Sequence, residues 1–152
     1  MNDRDIMDAE CQALRILVDM IIPASDEFGL PGAGDGLIFA DILATAGARH
    51  GQVGAALSAL DGLAREDQES GFEALDLNAR ESVVEAFRRL HPAAADLLAT
   101  IAVQCYYRDE RVMRALDMEA RPPFPDGYSL DEGDWSLLEP IRERPEFYRK
   151  AP

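Results

Sequence analysis

The run Ala93-Ala94-Ala95-Asp96-Leu97-Leu98-Ala99-Thr100-Ile101-Ala102-Val103-Gln104-Cys105-Tyr106-Tyr107 decides the fold. With Leu97, Leu98, Ile101, Ala102, Val103 and Cys105, a helix here is apolar nearly all round. A helix without a polar face belongs at the buried centre of a bundle, because every side must be covered. The flanking sequence supplies the covers. From Asp8 to Ile22, Cys11, Leu14, Leu17, Val18, Ile21 and Ile22 recur at three-and-four spacing, one apolar stripe interrupted by Arg15 and Asp19. Pro23 ends that helix, and a loop rich in Gly and Pro runs to Gly36. Leu37, Ile38, Ile42 and Leu43 make a second helix closing near Gly47; Val53, Leu57, Leu60 and Leu63 make a third. Asn78, with Glu81 three residues on, has the form of a capping box. The helix it opens carries Val83, Val84, Phe87 and Leu90 and stops at His91-Pro92. Asp109 to Met118 gives a short sixth helix through Val112, Met113 and Leu116. No stretch alternates with period two, so no sheet is expected. The predicted fold is all-α: an irregular bundle of five or six helices over residues 1–117, then an extended C-terminal arm over 118–152.

Composition bounds the function. The chain has 152 residues, a length of one domain, and 15 basic against 29 acidic residues give a net charge of −14. A field of that sign repels phosphate backbones and anionic lipid, so no nucleic-acid partner is expected. At this length roughly 70% of the unfolded surface can be buried, and 47% hydrophobic residues are enough to build a core. Cys11 and Cys105 form no disulfide framework and no zinc pattern, and each reads as a buried, inert thiol. No apolar stretch approaches the ~18 residues of a membrane span, so no direct membrane insertion is expected. The acidic start Met1-Asn2-Asp3-Arg4-Asp5 has neither a basic leader nor a twin-arginine pair. The expectation is a cytoplasmic protein, periplasmic only if exported with a partner.

The arm is of different character. Residues 118–152 hold six of the nine prolines and five of the eleven aromatic residues. Proline removes backbone donors and blocks helix, so most of the segment is not expected to form regular structure. Two readings are open: the arm packs on its own helices, or it wraps another protein. The second is carried forward, because proline limits the freedom lost on docking and rings supply anchoring area. The candidate anchors are Phe124, Tyr128, Trp135, Phe147 and Tyr148, with Pro122, Pro123 and Pro125 fixing the path. Arg142, Arg144 and Arg149 are candidates to pair with carboxylates on the partner.

Catalytic chemistry is sparse. Neither His50 nor His91 has a carboxylate three residues before it, so the Glu-x-x-His pattern of di-iron bundles is missing. Gly32-Ala33-Gly34-Asp35-Gly36 lacks the third glycine and the Lys-Ser/Thr of phosphate loops and reads as a turn leading into a helix. Asp26, Glu27 and Asp35 read as solvated loop acids, and Asp131 to Asp134 fails the calcium-loop template. No Gly-x-Ser-x-Gly elbow occurs. The polar-aromatic cluster Tyr106-Tyr107-Arg108-Asp109-Glu110-Arg111 reads as a helix end capping the core. No catalytic, cofactor or metal residue is assigned.

Ile21-Ile22-Pro23, Pro31-Gly32-Ala33, Asp35-Gly36, Phe39 and Asp41 together resemble the N-terminal signature of the gluconate 2-dehydrogenase subunit 3 family. Tyr106-Tyr107, Val112, Ala115-Leu116, Pro123-Phe124-Pro125 and Gly127-Tyr128 resemble its C-terminal half. The resemblance implies a small, helical, non-catalytic subunit that binds no cofactor. Its implied partner is a large flavin-dependent dehydrogenase of the glucose-methanol-choline type, with FAD in the large chain and in many cases a cytochrome c subunit beside it. Many members begin with a twin-arginine leader, and this sequence departs from them there. Two rival readings stand beside it: an acidic helical adaptor unrelated to redox chemistry, and a small stand-alone enzyme.

Overall fold

The first apolar stripe folds as helix α1, Asp8–Ile21, and Pro23 lies just beyond its end. In the computed structural model, which describes residues 8–67, 71–120 and 133–144, the chain is all-α. Helices α2 (Gly36–Gly47), α3 (His50–Asp67), α4 (Leu77–Leu90), α5 (Pro92–Tyr106) and α6 (Glu110–Ala115) follow. The expected bundle of five or six helices is therefore present. The chain divides into two compact units, Met1–Arg121 and Pro122–Pro152.

Helix α5 is the centre of the first unit and packs against α1, α2, α3 and α4. Leu98, Ile101, Ala102, Cys105 and Tyr106 are its buried residues. It is not covered all round: Asp96, Thr100, Val103 and Gln104 form an outward strip. Its partners contribute Leu14, Leu17 and Val18 from α1, Ile38 and Ile42 from α2, Leu57 and Leu60 from α3, and Phe87 from α4. Two helix ends hold residues of the predicted stripes outside the core. Leu37 of α2 and Leu90 of α4 are exposed, and Phe39 and Ala46 complete the buried face of α2.

The start of α4 differs from the capping-box expectation at Asn78. Asp76 is the cap, with extended backbone and a side-chain oxygen accepting the Ala79 amide at 2.9 Å. Asn78 is already the second helical residue, and its carbonyl accepts the Ser82 hydroxyl at 3.0 Å. The phase is set just upstream. A 3-10 turn, Phe72–Ala74, buries Phe72 completely, and Leu75 is 4% exposed. These two anchors place Asp76, and not Asn78, at the point where the backbone turns helical.

Helix α6 ends the bundle in a six-residue turn. Met118 donates its amide to the Met113 carbonyl at 2.9 Å, and Asp117 donates to Arg114 at 3.1 Å. This is the Schellman pattern, and it puts Asp117 at φ 57°, where glycine is the usual occupant.

In the second unit, residues 135–142 of the described stretch 133–144 are helical. A 3-10 turn, Trp135–Leu138, runs into the single turn α7, Glu139–Arg142. Asp134 caps it, its carboxylate accepting both the amide (3.0 Å) and the hydroxyl (2.6 Å) of Ser136. Pro140 is tolerated because first-turn amides have no helical acceptor. Regular structure among the described residues of the arm is confined to these eight positions, 135–142.

Replacing Asp76 by Ala is expected to lower unfolding stability by about 1 kcal/mol, and Asn78 by Ala to change it by less than about 0.5 kcal/mol. Relieving the left-handed strain with Asp117→Gly is expected to raise stability by up to about 1 kcal/mol. Urea unfolding followed by circular dichroism checks all three variants, and equal losses at 76 and 78 would contradict the assigned cap.

Candidate interaction site

Residues far apart in sequence meet at one joint between the start of α2 and the end of α5. Asp35 caps α2, accepting the Leu37 amide at 3.1 Å. Arg111, 76 positions later, donates to Asp35 at 2.6 Å and to Asp109 at 2.9 Å, so one guanidinium bridges the caps of α2 and α6. Next to it Arg108 pairs with Asp41 at 3.5 Å. The Tyr106 hydroxyl donates to the Pro31 carbonyl at 3.0 Å, and the Cys105 thiol donates to the Thr45 hydroxyl at 3.4 Å.

The other side of the loop is held by the two charges that interrupt the stripe of α1. Arg15 donates to the Gly34 carbonyl at 3.0 Å, and its guanidinium lies 5.4 Å from the centre of the Phe39 ring. Asp19 accepts the Gly34 amide at 3.1 Å. A methyl group built on Gly34 would stand 2.9 Å from the Asp19 carboxylate, which is why a side chain does not fit there. The glycine-rich loop is a turn leading into α2, as expected.

The electrostatics of this joint are those of a structural clasp. Hydrogen bonding from Arg111 lowers the carboxyls of both Asp35 and Asp109 below the usual range. Burial pushes the Cys105 thiol upward and so disfavours a nucleophilic thiolate. Burial likewise raises Tyr106. His91 sits between α4 and α5, its amide bonded to the Phe87 carbonyl at 2.8 Å and its ring 5.8 Å from that of Phe87. Among the described residues, no group of three or more His, Cys, Asp or Glu side chains is placed to hold a metal.

Two surfaces are open to a partner. On the bundle, α1, α4 and α5 frame a groove of about 380 Å³. Its apolar lining includes Met20, Ile21, Val84 and Phe87; Arg88 and Asp96 add charge. Ala95 and Ala99, one turn apart on α5, are small enough to leave the trough. In the second unit, Trp135 is 66% and Leu137 72% exposed. Arg142 and Arg144 are exposed as well. Trp135 and Arg142 lie in one short helical segment, and Arg144 follows two residues past its end. The other predicted contact residues, Pro122, Pro123, Phe124, Pro125, Tyr128, Phe147, Tyr148 and Arg149, lie outside the described residues. The groove had no signal in the sequence beyond the small residues of α5.

Among the described residues no helix is long and apolar enough to cross a membrane. No family model matches the chain, and no curated protein or solved structure matches it either.

The depressed carboxyls of Asp35 and Asp109 make the clasp acid-sensitive. Stabilisation from a lowered carboxyl is present above its unfolded pKa of ~3.9 and is lost as pH falls through the lower folded value. Unfolding midpoints in urea are therefore expected to hold steady down to about pH 5 and to drop below about pH 4. In Arg111→Met the start is less stable at neutral pH and the acid drop is shallower; an unaltered pH slope would show that Arg111 does not set these two groups.

Proposed function

We propose that this chain is a non-catalytic accessory subunit that docks on a large flavin-dependent dehydrogenase of the glucose-methanol-choline type. The partner oxidises a sugar, a polyol or another alcohol and carries the FAD; in many assemblies of this kind a cytochrome c subunit stands beside it. The observation that carries the docking is the exposure of Trp135 and Leu137 in a segment held helical by its Asp134 cap. An indole anchor of this kind buries 150–250 Å² when covered, roughly what a hot spot needs. The identity of the partner comes from the motif resemblance. Of the residues that carry the resemblance, Tyr106 from the C-terminal half and Pro31 from the N-terminal half are in direct contact.

The physical role is linkage. A subunit that binds the folded large chain and not the unfolded one raises its stability in proportion to the logarithm of its own concentration over Kd. The chain's net charge of −14 keeps it dispersed until the partner is available. The role needs no group that reacts.

Affinity purification of the tagged chain from its native cells is expected to bring down a large yellow chain absorbing between about 350 and 500 nm, the flavin window. Trp135→Ala is expected to weaken that complex by about 30-fold, the effect of a hot spot of ~2 kcal/mol. The helical circular dichroism of the free subunit should stay unchanged. A colourless partner would favour the redox-unrelated adaptor, and unchanged affinity in Trp135→Ala would remove the segment from the interface.

A further inference from the structure

Resting on the reading of this chain as a docking subunit, we infer that Trp135, Leu137 and Leu138 insert into an apolar pocket rimmed by lysine and arginine on the partner protein. The geometry makes one anchor set. In a 3-10 turn, residues three apart lie one above the other, so Trp135 and Leu138 share a face and Leu137 adjoins it. Leu138 is 37% exposed, less than its two neighbours.

Charge decides what surrounds the pocket. From Asp131 to Glu139 the sequence has four acids, Asp131, Glu132, Asp134 and Glu139, and no base. Asp134 and Glu139 flank the apolar turn directly, and both are exposed. The Asp134 carboxylate is fixed by the Ser136 amide and hydroxyl, so its charge is already in place before docking. An uncharged or acidic rim would leave these carboxylates desolvated or repelled; a basic rim pairs them and sets the orientation of the anchors. From Arg142 onward the sign reverses, with Arg142, Arg144, Arg149 and Lys150 against Glu143 and Glu146. The matching surface is basic beside Asp134 and Glu139 and acidic beside the exposed Arg142 and Arg144.

The single tryptophan of the chain makes Trp135 a reporter of its own environment. The full-length protein is titrated with a short amphipathic peptide of leucine and lysine at helical spacing, and in parallel with its leucine–glutamate counterpart. The lysine peptide is expected to shift Trp135 emission to the blue, and the glutamate peptide to leave it unmoved. Its apparent affinity should fall at least about tenfold as salt rises from about 0.01 to about 1 M and the screening length shrinks from ~30 to ~3 Å. Changing Asp131, Glu132 and Glu139 together to lysine is expected to reverse the preference between the two peptides. Leu137→Ser with Leu138→Ser keeps every charge and should abolish the blue shift, which separates insertion at this segment from general attraction to the acidic body. The inference is overturned if both peptides act alike, if the charge reversal changes nothing, or if Trp135 of the free protein already emits as a buried indole. These readings need no flavoprotein, so they stand or fall apart from the identity of the partner.

Discussion

The packing of α5 against α1, α2, α3 and α4 is the interaction on which the bundle depends. Residues such as Leu98 and Ile101 each contribute ~1.5–3 kcal/mol when fully buried, and both are within 2% of complete burial. No polar or charged residue among those described is fully buried. Stability therefore comes from apolar contact, while the ion pairs at the surface set direction and phase. Arg111 illustrates the division: it adds little apolar area, yet it ties the first turn of α2 to the first turn of α6.

Much of this was legible because helix ends depend on local chemistry. Pro23, Gly47 and His91-Pro92 stop helices for reasons contained within a few residues, and the apolar spacing of α1 and α4 needs no knowledge of what they pack against. The start of α4 was misread because two competent caps, Asp76 and Asn78, stand two residues apart. Only the burial of Phe72 and Leu75, a tertiary fact, selects between them. The outward strip of α5 was hidden for a similar reason. Val103 reads as core by type, but it lies on the exposed side of the cylinder, away from the helices that cover α5.

The candidate site divides along the same line. Trp135 was identifiable as one of five rings in a proline-rich arm, and as the single tryptophan, whereas the helical turn that presents it was obscured by Pro140, at the second position of α7. The clasp was invisible as a pairing, since nothing in sequence connects Asp35 to Arg111. Its surroundings were visible as oddities: Arg15 and Asp19, which hold the other side of the loop, break an apolar stripe, and Arg108 to Arg111 crowd charge against aromatic rings. Each oddity is explained by a backbone group or carboxylate across the joint.

The 76-residue separation between the two ends of the clasp also has a temporal meaning. On the ribosome, α2 emerges well before the helix that covers it, and at about 5–20 residues per second the wait is roughly 4–15 s. During that interval Ile38, Phe39 and Ile42 have only α1 and the growing α3 for shelter. Arg15 and Asp19, already translated, are able to hold the glycine-rich turn in its final shape through this gap. The nascent chain thereby carries its own template for α2 until α5 arrives to close over it.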